Sequence, residues 1–352
     1  MKFTLTSISS FVTSLLYFGP QWVGSTSLQR FEAFRNLEGL RAIGVDNGSS
    51  IGGVSSLWHR IRWKLRLPVD SRSENQRLIE AVNAHRPQIV LVDNSKVILR
   101  KTLTQLRALG VERLVYYSPD DIVAKHNLSL FLKWSFPEWD MVVTTKTFNV
   151  AELAALKVRR PFLIGKAFDA GLHLPKTPAQ VGADFERFDA VFLGAFERER
   201  GASINALAES GVSIVVYGAD KGNWRRSFLH PSIELRNSAF GEEYVCAWHT
   251  GKVALCFLRK INRDRITQRT MELAAIGRPM VAERTDEHDA HFTHGKEYLG
   301  FRDDGEMVEH VRSLLADDRR RRELGISARN RCLTSGYSTV DRARQLVEAF
   351  LE

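Results

Sequence analysis

Short apolar runs alternate with amphipathic stretches along most of the chain. The runs are typical of buried strands, and in the stretches between them apolar residues recur every three or four positions, as in helices. The predicted strands of the first half are 15–18, 42–46, 89–92, 114–117 and 141–144, and its predicted helices are 27–37, 74–84, 101–109 and 150–156. Because strands that alternate with helices form parallel sheets covered on both faces, the pattern predicts an α/β fold.

The alternation is interrupted at residues 172–184 and then begins again. Pro175, Pro178 and Gly182 break regular structure there, which is typical of a linker. The second series has predicted strands at 190–194, 213–217, 233–235, 253–257 and 280–282, and predicted helices at 203–210, 242–248 and 338–351. The pattern therefore predicts two Rossmann-like domains, 1–172 and 188–335, with a linker at 173–187 and a terminal helix within 336–352.

Domain count and composition favour an enzyme of a reducing compartment. A length of 352 residues fits two domains of ordinary size. Ligands of open parallel sheets bind beyond the carboxyl ends of the strands, so the site is expected in the cleft between the domains. The three cysteines include no Cys-x-x-Cys pair, so neither a disulfide framework nor a zinc site is indicated. We therefore expect a cytoplasmic location.

The net charge of +9 calls for an anionic partner or surface. Nucleic acid, an anionic membrane and phosphorylated substrates all fit this charge. The sequence has no RNP-like run, zinc-finger spacing or basic zipper, so nucleic acid is the least favoured of the three. No apolar run has the length of a membrane span, and serine and threonine dilute residues 1–16 too much for a signal peptide to be favoured.

Residues 58–67 combine two tryptophans and several aliphatic residues with five side chains that can be cationic. One interpretation is a helix at the interface of an anionic membrane, with tryptophans at headgroup depth and cations on phosphates. The alternative is an ordinary amphipathic helix on the first sheet. The first interpretation predicts a protein peripheral to the inner membrane face.

The stretch from Asp264 to Glu283 is the most informative part of the chain. It predicts a helix that ends at Gly277 and a short buried strand opened by Pro279. The sequence places Asp264 near the start of this helix and Glu272 about two turns later on the same face.

Two arginines of the same stretch, Arg265 and Arg269, are predicted to lie one helical turn apart. Cations suit phosphate groups, and an ionised carboxylate suits sugar hydroxyls because it only accepts hydrogen bonds. A nucleotide-sugar needs both. The alternative for Glu272 is an ion pair with a nearby arginine, worth a few tenths of a kcal/mol, about 0.2–0.5.

The pattern Glu272-x-x-Ala275-x-Gly277-x-Pro279 resembles the corresponding helix of GT-B glycosyltransferases of the retaining family-4 type. Other motifs resemble the CgeB-like (spore maturation protein) branch of these enzymes, within glycosyltransferase group 1. They are Gly241-Glu-Glu-Tyr244, 252–257, Arg269-Thr-Met-Glu272, Gly295-Lys-Glu297 and Gly336-Tyr-Ser338, with Gly19-Pro20, Gly24-Ser-Thr26 and 116–121 in the first domain. The resemblance covers most of residues 15–350.

The resemblance implies a GT-B fold, two Rossmann-like domains facing across a cleft, with the C-terminal helix crossing back to the first domain. It implies that Glu272 accepts hydrogen bonds from the ribose or donor-sugar hydroxyls and that Arg269, one turn earlier, binds phosphate. The chain departs from the family at Asp264, where glutamate is usual and reaches further. Retention at the anomeric carbon follows from the family's acid-x7-Glu pattern.

Two further groups of residues are expected to bind the diphosphate. Arg198 and Arg200 follow the first strand of the second domain, where the wider family keeps an arginine and a lysine; the alternative is a solvated loop of alternating charge. In the first domain a loop is expected to offer backbone amides to the diphosphate or acceptor, and its alternative is an ordinary strand–helix turn. Its predicted binding residues are Gly19, Gly24, Ser25 and Thr26.

The predicted catalytic residues are Asp121, at the end of a strand, and His126, one to two turns later. The neighbouring Asp120 has a competing interpretation as a helix N-cap after Pro119. His126 and His173 are each lone histidines, which are more often structural than catalytic. GT-B enzymes as a class work without an essential metal, so the resemblance implies no metal and no other cofactor.

The sequence therefore predicts a glycosyltransferase that moves a sugar, hexosyl in type, from a nucleotide-diphosphate donor to an acceptor that is a glycan, lipid, protein or small molecule. The second domain is expected to hold the donor and the first domain the acceptor. The alternative is a non-catalytic GT-B scaffold that binds a partner or a polysaccharide.

Overall fold

A computed structural model describes residues 13–48, 56–220, 223–227 and 229–352. The segment 1–12, which includes most of the stretch weighed as a signal peptide, lies outside the described residues. The chain divides into two compact units, one ending at Gly165 and completed by Ala343–Glu352, the other running from Lys166 to Arg342.

The first unit is built on a parallel sheet. Its described strands are β1 (Thr13–Gly19), β2 (Leu40–Asp46), β3 (Ile89–Asp93), β4 (Arg113–Ser118), β5 (Met141–Thr144) and β6 (Pro161–Leu163), and its described helices are α1 (Thr26–Arg35), α2 (Leu57–Lys64), α3 (Glu74–His85), α4 (Arg100–Ala108), α5 (Leu130–Ser135) and α6 (Thr147–Ala155). The strand order is β2-β1-β3-β4-β5-β6. The chain runs outward from β1 to β2 and returns to β3 on the other side, so the switch point of the sheet lies between β1 and β3.

The inner strands of this sheet are buried on both faces. Each residue of β3 is buried, and Leu15–Phe18 in β1 have no exposed surface. Near-continuous apolar runs are what such strands require, because helices cover both sides of the sheet.

The second unit repeats the design. Its described strands are β7 (Phe188–Leu193), β8 (Ile214–Tyr217), β9 (Ile233–Arg236), β10 (Gly251–Cys256), β11 (Met280–Glu283) and β12 (Leu299–Phe301), and its described helices are α7 (Pro178–Val181), α8 (Arg198–Glu209), α9 (Gly241–Trp248), α10 (Gln268–Ile276), α11 (Asp286–His291), α12 (Asp304–Ala316), α13 (Asp318–Thr334) and the start of α14 (Thr339–Leu351). The strand order is β12-β11-β10-β7-β8-β9, all parallel, with the switch point between β7 and β10.

Helix α14 returns to the first unit, as predicted. Its residues from Ala343 onward belong to that unit. Phe350 stacks on Phe34 with ring centroids 6.4 Å apart, and Arg160 Nη1 donates a hydrogen bond to the Ala349 carbonyl oxygen at 2.8 Å. No helix among the described residues is both long and apolar enough to cross a membrane.

The predicted α/β fold with two Rossmann-like domains is confirmed, but the boundary lies elsewhere. The first unit ends at Gly165, before the predicted 172. The predicted linker 173–187 belongs to the second unit, where α7 begins with Pro178 at its first position and a 3-10 turn follows at Gly182–Asp184. A proline at that position is favourable, because the first amide of a helix has no partner within the helix.

Candidate functional site

Helix α10 is buried along most of its length and carries one acidic residue. Residues 270–276 are all buried, including Glu272. Gly277 ends the helix with φ +78°, a left-handed conformation that favours glycine. Gly325 of α13 packs on it so closely that a Cβ there would overlap the Gly277 carbonyl oxygen. The helix is therefore held rigidly, and Glu272 with it.

The carboxylate of Glu272 is 6% exposed and only partly satisfied. Tyr244 donates its hydroxyl to Oε2 at 2.5 Å. Burial, and after it the charge of Glu272, holds the pKa of Tyr244 well above its usual range, so Tyr244 keeps this proton. Oε1 accepts no hydrogen bond from the described part of the chain. One oxygen is thus fixed by the protein, and the other is available to a hydroxyl donor.

His173 faces the open oxygen of Glu272. Its Nδ1 accepts a hydrogen bond from the backbone N–H of Asp169 at 2.9 Å, so the ring proton lies on Nε2. Nε2 is 3.8 Å from Glu272 Oε1 and makes no hydrogen bond with any described residue, although His173 is 1% exposed. Buried donors without an acceptor are uncommon and need an explanation.

Arg269 lies one turn before Glu272 and close to the switch point. Its guanidinium is 5.6 Å from the Phe192 ring centroid and 6.0 Å from that of Trp248. A Cβ at Gly194 would lie 3.6 Å from its Nη2 atom. Its Nε atom is a second buried donor without an acceptor among the described residues. A cation therefore stands beside the end of β7, where Gly194 begins the loop into α8.

Two glycines keep the backbone compact at this point. Gly218, after β8, has φ +129°, and a Cβ there would overlap the Gly194 carbonyl oxygen. The Trp224 indole N–H donates a hydrogen bond to the same oxygen at 2.9 Å. The loop after β7 is therefore fixed by close packing, as a site that holds a ligand in one position requires.

Arg198 and Arg200 have different surroundings. Arg198 is the first residue of α8, is exposed and makes no ion pair with a described residue. Arg200 is buried: Nη1 donates to the Ala195 carbonyl oxygen at 2.5 Å, and Nη2 to that of Leu258 at 3.4 Å. Arg200 therefore positions the two loops, whereas Arg198 and the first amides of α8, which no side chain caps, remain for an anion.

The prediction that two acids and two arginines lie along one helix is wrong for the first acid and the first arginine. Helix α10 begins at Gln268, so Asp264 lies in the preceding loop, where Oδ1 accepts a hydrogen bond from Asn262 Nδ2 at 2.9 Å. Arg265 is also outside the helix and forms an ion pair with Asp286 of α11. Thr267 caps the helix, and this cap shifts its start past both residues.

The first-domain loop between β1 and α1 takes the ordinary form of a strand–helix turn. Ser25 is the N-cap of α1: its Oγ accepts from the Ser27 N–H at 3.1 Å. Thr26 Oγ1 accepts from Arg30 Nη1 at 3.3 Å. Gly24 has φ +93°, and a Cβ at Gly19 would lie 2.8 Å from the Asp93 Cβ. Both side chains thus serve α1, and Gly19 makes room for Asp93.

The two predicted catalytic residues are placed very differently. Asp121 has no exposed surface, and its Oδ1 accepts hydrogen bonds from Asn149 Nδ2 at 3.0 Å and from the Ala124 N–H at 3.3 Å. These contacts give Asp121 a structural role in the turn after β4. His126 is exposed, with Nε2 at 3.2 Å from Asn127 Nδ2.

A buried cluster that sequence reasoning missed lies at the switch point of the first sheet. Asp93 ends β3, and its Oδ2 accepts hydrogen bonds from Arg30 Nη2 at 2.6 Å and from the Tyr17 hydroxyl. Its Oδ1 is buried without a hydrogen-bond partner among the described residues. The available signal was an aspartate directly after the apolar run 89–92. Arg30 and Tyr17 come from other elements and could be joined to it only by the fold.

Comparison with known proteins adds a family likeness over part of the second unit and a fold. Residues 198–348 match the family model described as Glycosyl transferase-like. No curated protein matches the chain. Among solved structures, sucrose-phosphate synthase from Thermosynechococcus elongatus is 14% identical with a TM-score of 0.64, covering 96% of this chain and 98% of that one.

Two further structures are similar over nearly the whole chain. Anabaena Alr3699/HepE, solved in complex with UDP and glucose, is 11% identical with a TM-score of 0.66, and the match covers 96% of this chain and 99% of that one. A glycosyltransferase from Rickettsia africae is 12% identical with a TM-score of 0.62, covering 96% and 97%. The fold is therefore GT-B, as predicted. Membership of the CgeB-like branch remains a prediction.

Proposed function

We propose that this protein is a glycosyltransferase that binds a nucleotide-diphosphate sugar in its second unit and transfers the sugar to an acceptor. The observation that carries the proposal is the half-satisfied carboxylate of Glu272 beside two buried donors that lack acceptors, His173 Nε2 and Arg269 Nε. A ligand that has both hydroxyl donors and anionic oxygens would give the carboxylate and both donors their missing hydrogen-bond partners. A nucleotide-sugar has both, and Anabaena Alr3699/HepE, which is similar in fold, was solved with UDP-glucose.

In this proposal Glu272 Oε1 accepts a hydrogen bond from a ribose or donor-sugar hydroxyl. Tyr244 keeps the carboxylate oriented by occupying Oε2. Arg269 and Arg198 bind the diphosphate, together with the free amides at the start of α8. The position is the one expected for a ligand of a parallel sheet, at the switch point between β7 and β10.

The same cations provide catalysis by stabilising charge. As the bond between the anomeric carbon and the diphosphate breaks, negative charge grows on the leaving oxygen. Guanidinium groups and helix amides already aimed at that oxygen stabilise the transition state more than the ground state. Retention at the anomeric carbon and transfer of a hexosyl group remain our predictions. We also expect no essential metal, so full activity in the presence of a chelator is the expected result.

We propose that the first unit binds the acceptor. Its candidate groups are Asp93, whose buried Oδ1 has no partner among the described residues, and the exposed His126. We also propose that the protein associates with the anionic inner face of a membrane through residues 58–67. In support of this proposal, no residue of α2 is buried among the described part of the chain.

Isothermal titration calorimetry with UDP, GDP and dTDP tests the donor site directly, followed by donor hydrolysis with the corresponding sugars. We expect one nucleotide to bind. Folded protein that binds none of them would overturn the enzyme proposal and favour a non-catalytic scaffold with the same fold. Proton NMR of the product then distinguishes retention from inversion.

A further inference from the structure

A small basic cavity lies in the first unit, at the end of α2. It has a volume of about 280 Å³, and its lining includes Trp63, Arg66, Lys96 and Lys125. This volume is near the lower limit of ligand pockets, so it fits a small charged group and not a whole cofactor. None of these residues belongs to the proposed donor site.

Hydrogen bonds hold the walls of the cavity in place. Arg66 is a non-glycine residue at φ +61°, and its carbonyl oxygen accepts the Leu130 N–H at 2.7 Å. Its Nε donates to the Leu128 carbonyl oxygen at 2.8 Å. Ser129 Oγ donates to the Lys96 carbonyl oxygen at 2.6 Å. Three separate segments are thereby joined, and Arg66 has the left-handed conformation that often follows the end of a helix.

Cationic side chains make up much of the lining. Lys64, Arg66, Lys96 and Lys125 line the cavity together with His126, and none of the lining residues is Asp or Glu. Lys96 Nζ donates to Asn127 Oδ1 at 2.7 Å and lies 5.5 Å from the Trp63 ring centroid.

Helix capping explains only part of this charge. A lysine in the last turn of α2 favours the negative end of the helix dipole, which accounts for Lys64. It does not account for Lys96 and Lys125, which come from two other segments and converge on the same space. Like charges brought together by a fixed backbone repel each other, and a bound anion offsets that repulsion.

Several large apolar side chains on α2 and just after it are exposed. Trp58 is 61% exposed and Leu65 is 61% exposed, and Trp63, which lines the cavity, is 46% exposed. A second cavity of about 590 Å³ shares Pro68 with the first, and its lining mixes apolar residues such as Leu99 and Phe131 with charged ones, Asp70 and Glu80 among them. An anion site bordered by exposed tryptophan and aliphatic side chains matches an amphiphile with a charged head.

We propose that this cavity binds the phosphate group of a membrane lipid. The proposal deepens the membrane contact proposed for residues 58–67: it assigns the phosphate to Lys64, Arg66, Lys96 and Lys125, with the exposed apolar side chains of α2 entering the headgroup region. It does not depend on the donor site, so it can hold or fail independently of the transferase proposal.

The test is sedimentation of the full chain with phosphatidylcholine vesicles that contain or lack phosphatidylglycerol. The pocket variant is Lys64→Ala/Lys125→Ala, since both side chains are exposed and make no ion pair with a described residue. The matched control is Arg41→Ala/Lys157→Ala, which removes two exposed cations of the same unit away from the cavity. Urea unfolding of each variant reports whether the fold is intact.

We expect the wild type and the control to bind phosphatidylglycerol vesicles alike. The pocket variant should bind them about 25-fold more weakly, at roughly fivefold for each cation near an anionic surface. Equal weakening in both variants would show diffuse attraction and overturn the proposal, as would wild-type protein that ignores phosphatidylglycerol. Inorganic phosphate is added as a competitor. If it does not release the protein from vesicles, and if wild type and pocket variant bind it equally, the ligand is a lipid phosphate. Tight binding of inorganic phosphate alone would overturn the lipid assignment.

Discussion

Replacement of Glu272 by glutamine tests the donor site with little change of shape. Glutamine keeps an oxygen that accepts the Tyr244 hydroxyl but has no negative charge, and it presents an NH₂ group where Oε1 stood. The ligand hydroxyl then loses a charge-assisted hydrogen bond. Such bonds contribute about 1.5–3 kcal/mol, so the Kd of the cognate nucleotide-sugar should rise roughly 10- to 150-fold.

The stability of the protein should change much less than its affinity. The substitution removes a buried charge and leaves a neutral group in the same space, so we expect the free energy of unfolding to change by about 1 kcal/mol or less. Tyr244→Phe is the matched control, because it frees Oε2 without touching the ligand contact. It should weaken binding by less than about tenfold, since Tyr244 acts only by orienting the carboxylate.

Calorimetry with the nucleotide gives the Kd, and urea unfolding gives the stability. Steady-state kinetics adds a second criterion: a contact to the nucleoside is the same in the ground and transition states, so KM should rise while kcat stays near that of the wild type. Glu272→Gln that is folded and binds both the nucleoside diphosphate and the nucleotide-sugar as tightly as the wild type would refute the assignment. The carboxylate would then be a purely structural partner of Tyr244.

Three further predictions concern stability. Burial raises the pKa of Glu74 to about 7 from an ordinary 4.5, so between these values the folded state holds a proton that the unfolded chain has lost. The free energy of unfolding should therefore fall by about 3 kcal/mol as pH rises from 4.5 through 7. In urea titrations Glu74→Gln should abolish this pH dependence, whereas the control Glu80→Gln should keep it. Burial lowers the pKa of His288 to about 4 from 6.5, so on acidification the unfolded chain binds a proton before the folded one does. The free energy of unfolding should fall by about 3 kcal/mol between pH 6.5 and 4. A His288→Gln variant whose stability falls as steeply with acid would contradict this. Gly218→Ala should cost about 1–3 kcal/mol more than Gly110→Ala, because both have positive φ but only Gly218 abuts another backbone carbonyl; equal melting temperatures for the two would exclude the close approach as the cause.

The fold was predictable because the local spacing of apolar residues indicates most of its strands and helices. Strand 141–144 was predicted to the residue, and most other predicted strands and helices agree with the structure within a few residues. The exceptions are several short elements and the two long helices α12 and α13, which have no counterpart among the predicted helices. Strands β6 and β12 have three residues each, too few to show alternation, and α7 was hidden by the prolines that indicated a linker.

The site was predictable only in part. Glu272, Arg269 and Arg198 keep the surroundings that a donor site needs, whereas Asp264 and Arg265 left the helix because Thr267 caps it. A helix start depends on which side chain satisfies the first amides, and the sequence offered several candidates.

By itself the sequence determined the two parallel sheets, the helix that ends at Gly277, and the acid and cation spaced one turn apart in its first half. These follow from residues close together in the chain. Only the tertiary structure decided that His173 and Tyr244 meet at Glu272, that Arg200 holds loops while Arg198 stays exposed, and that α2 leaves its tryptophans uncovered. Each of these depends on which distant segment lies opposite a side chain, and that is settled by packing of whole elements, which local periodicity does not encode.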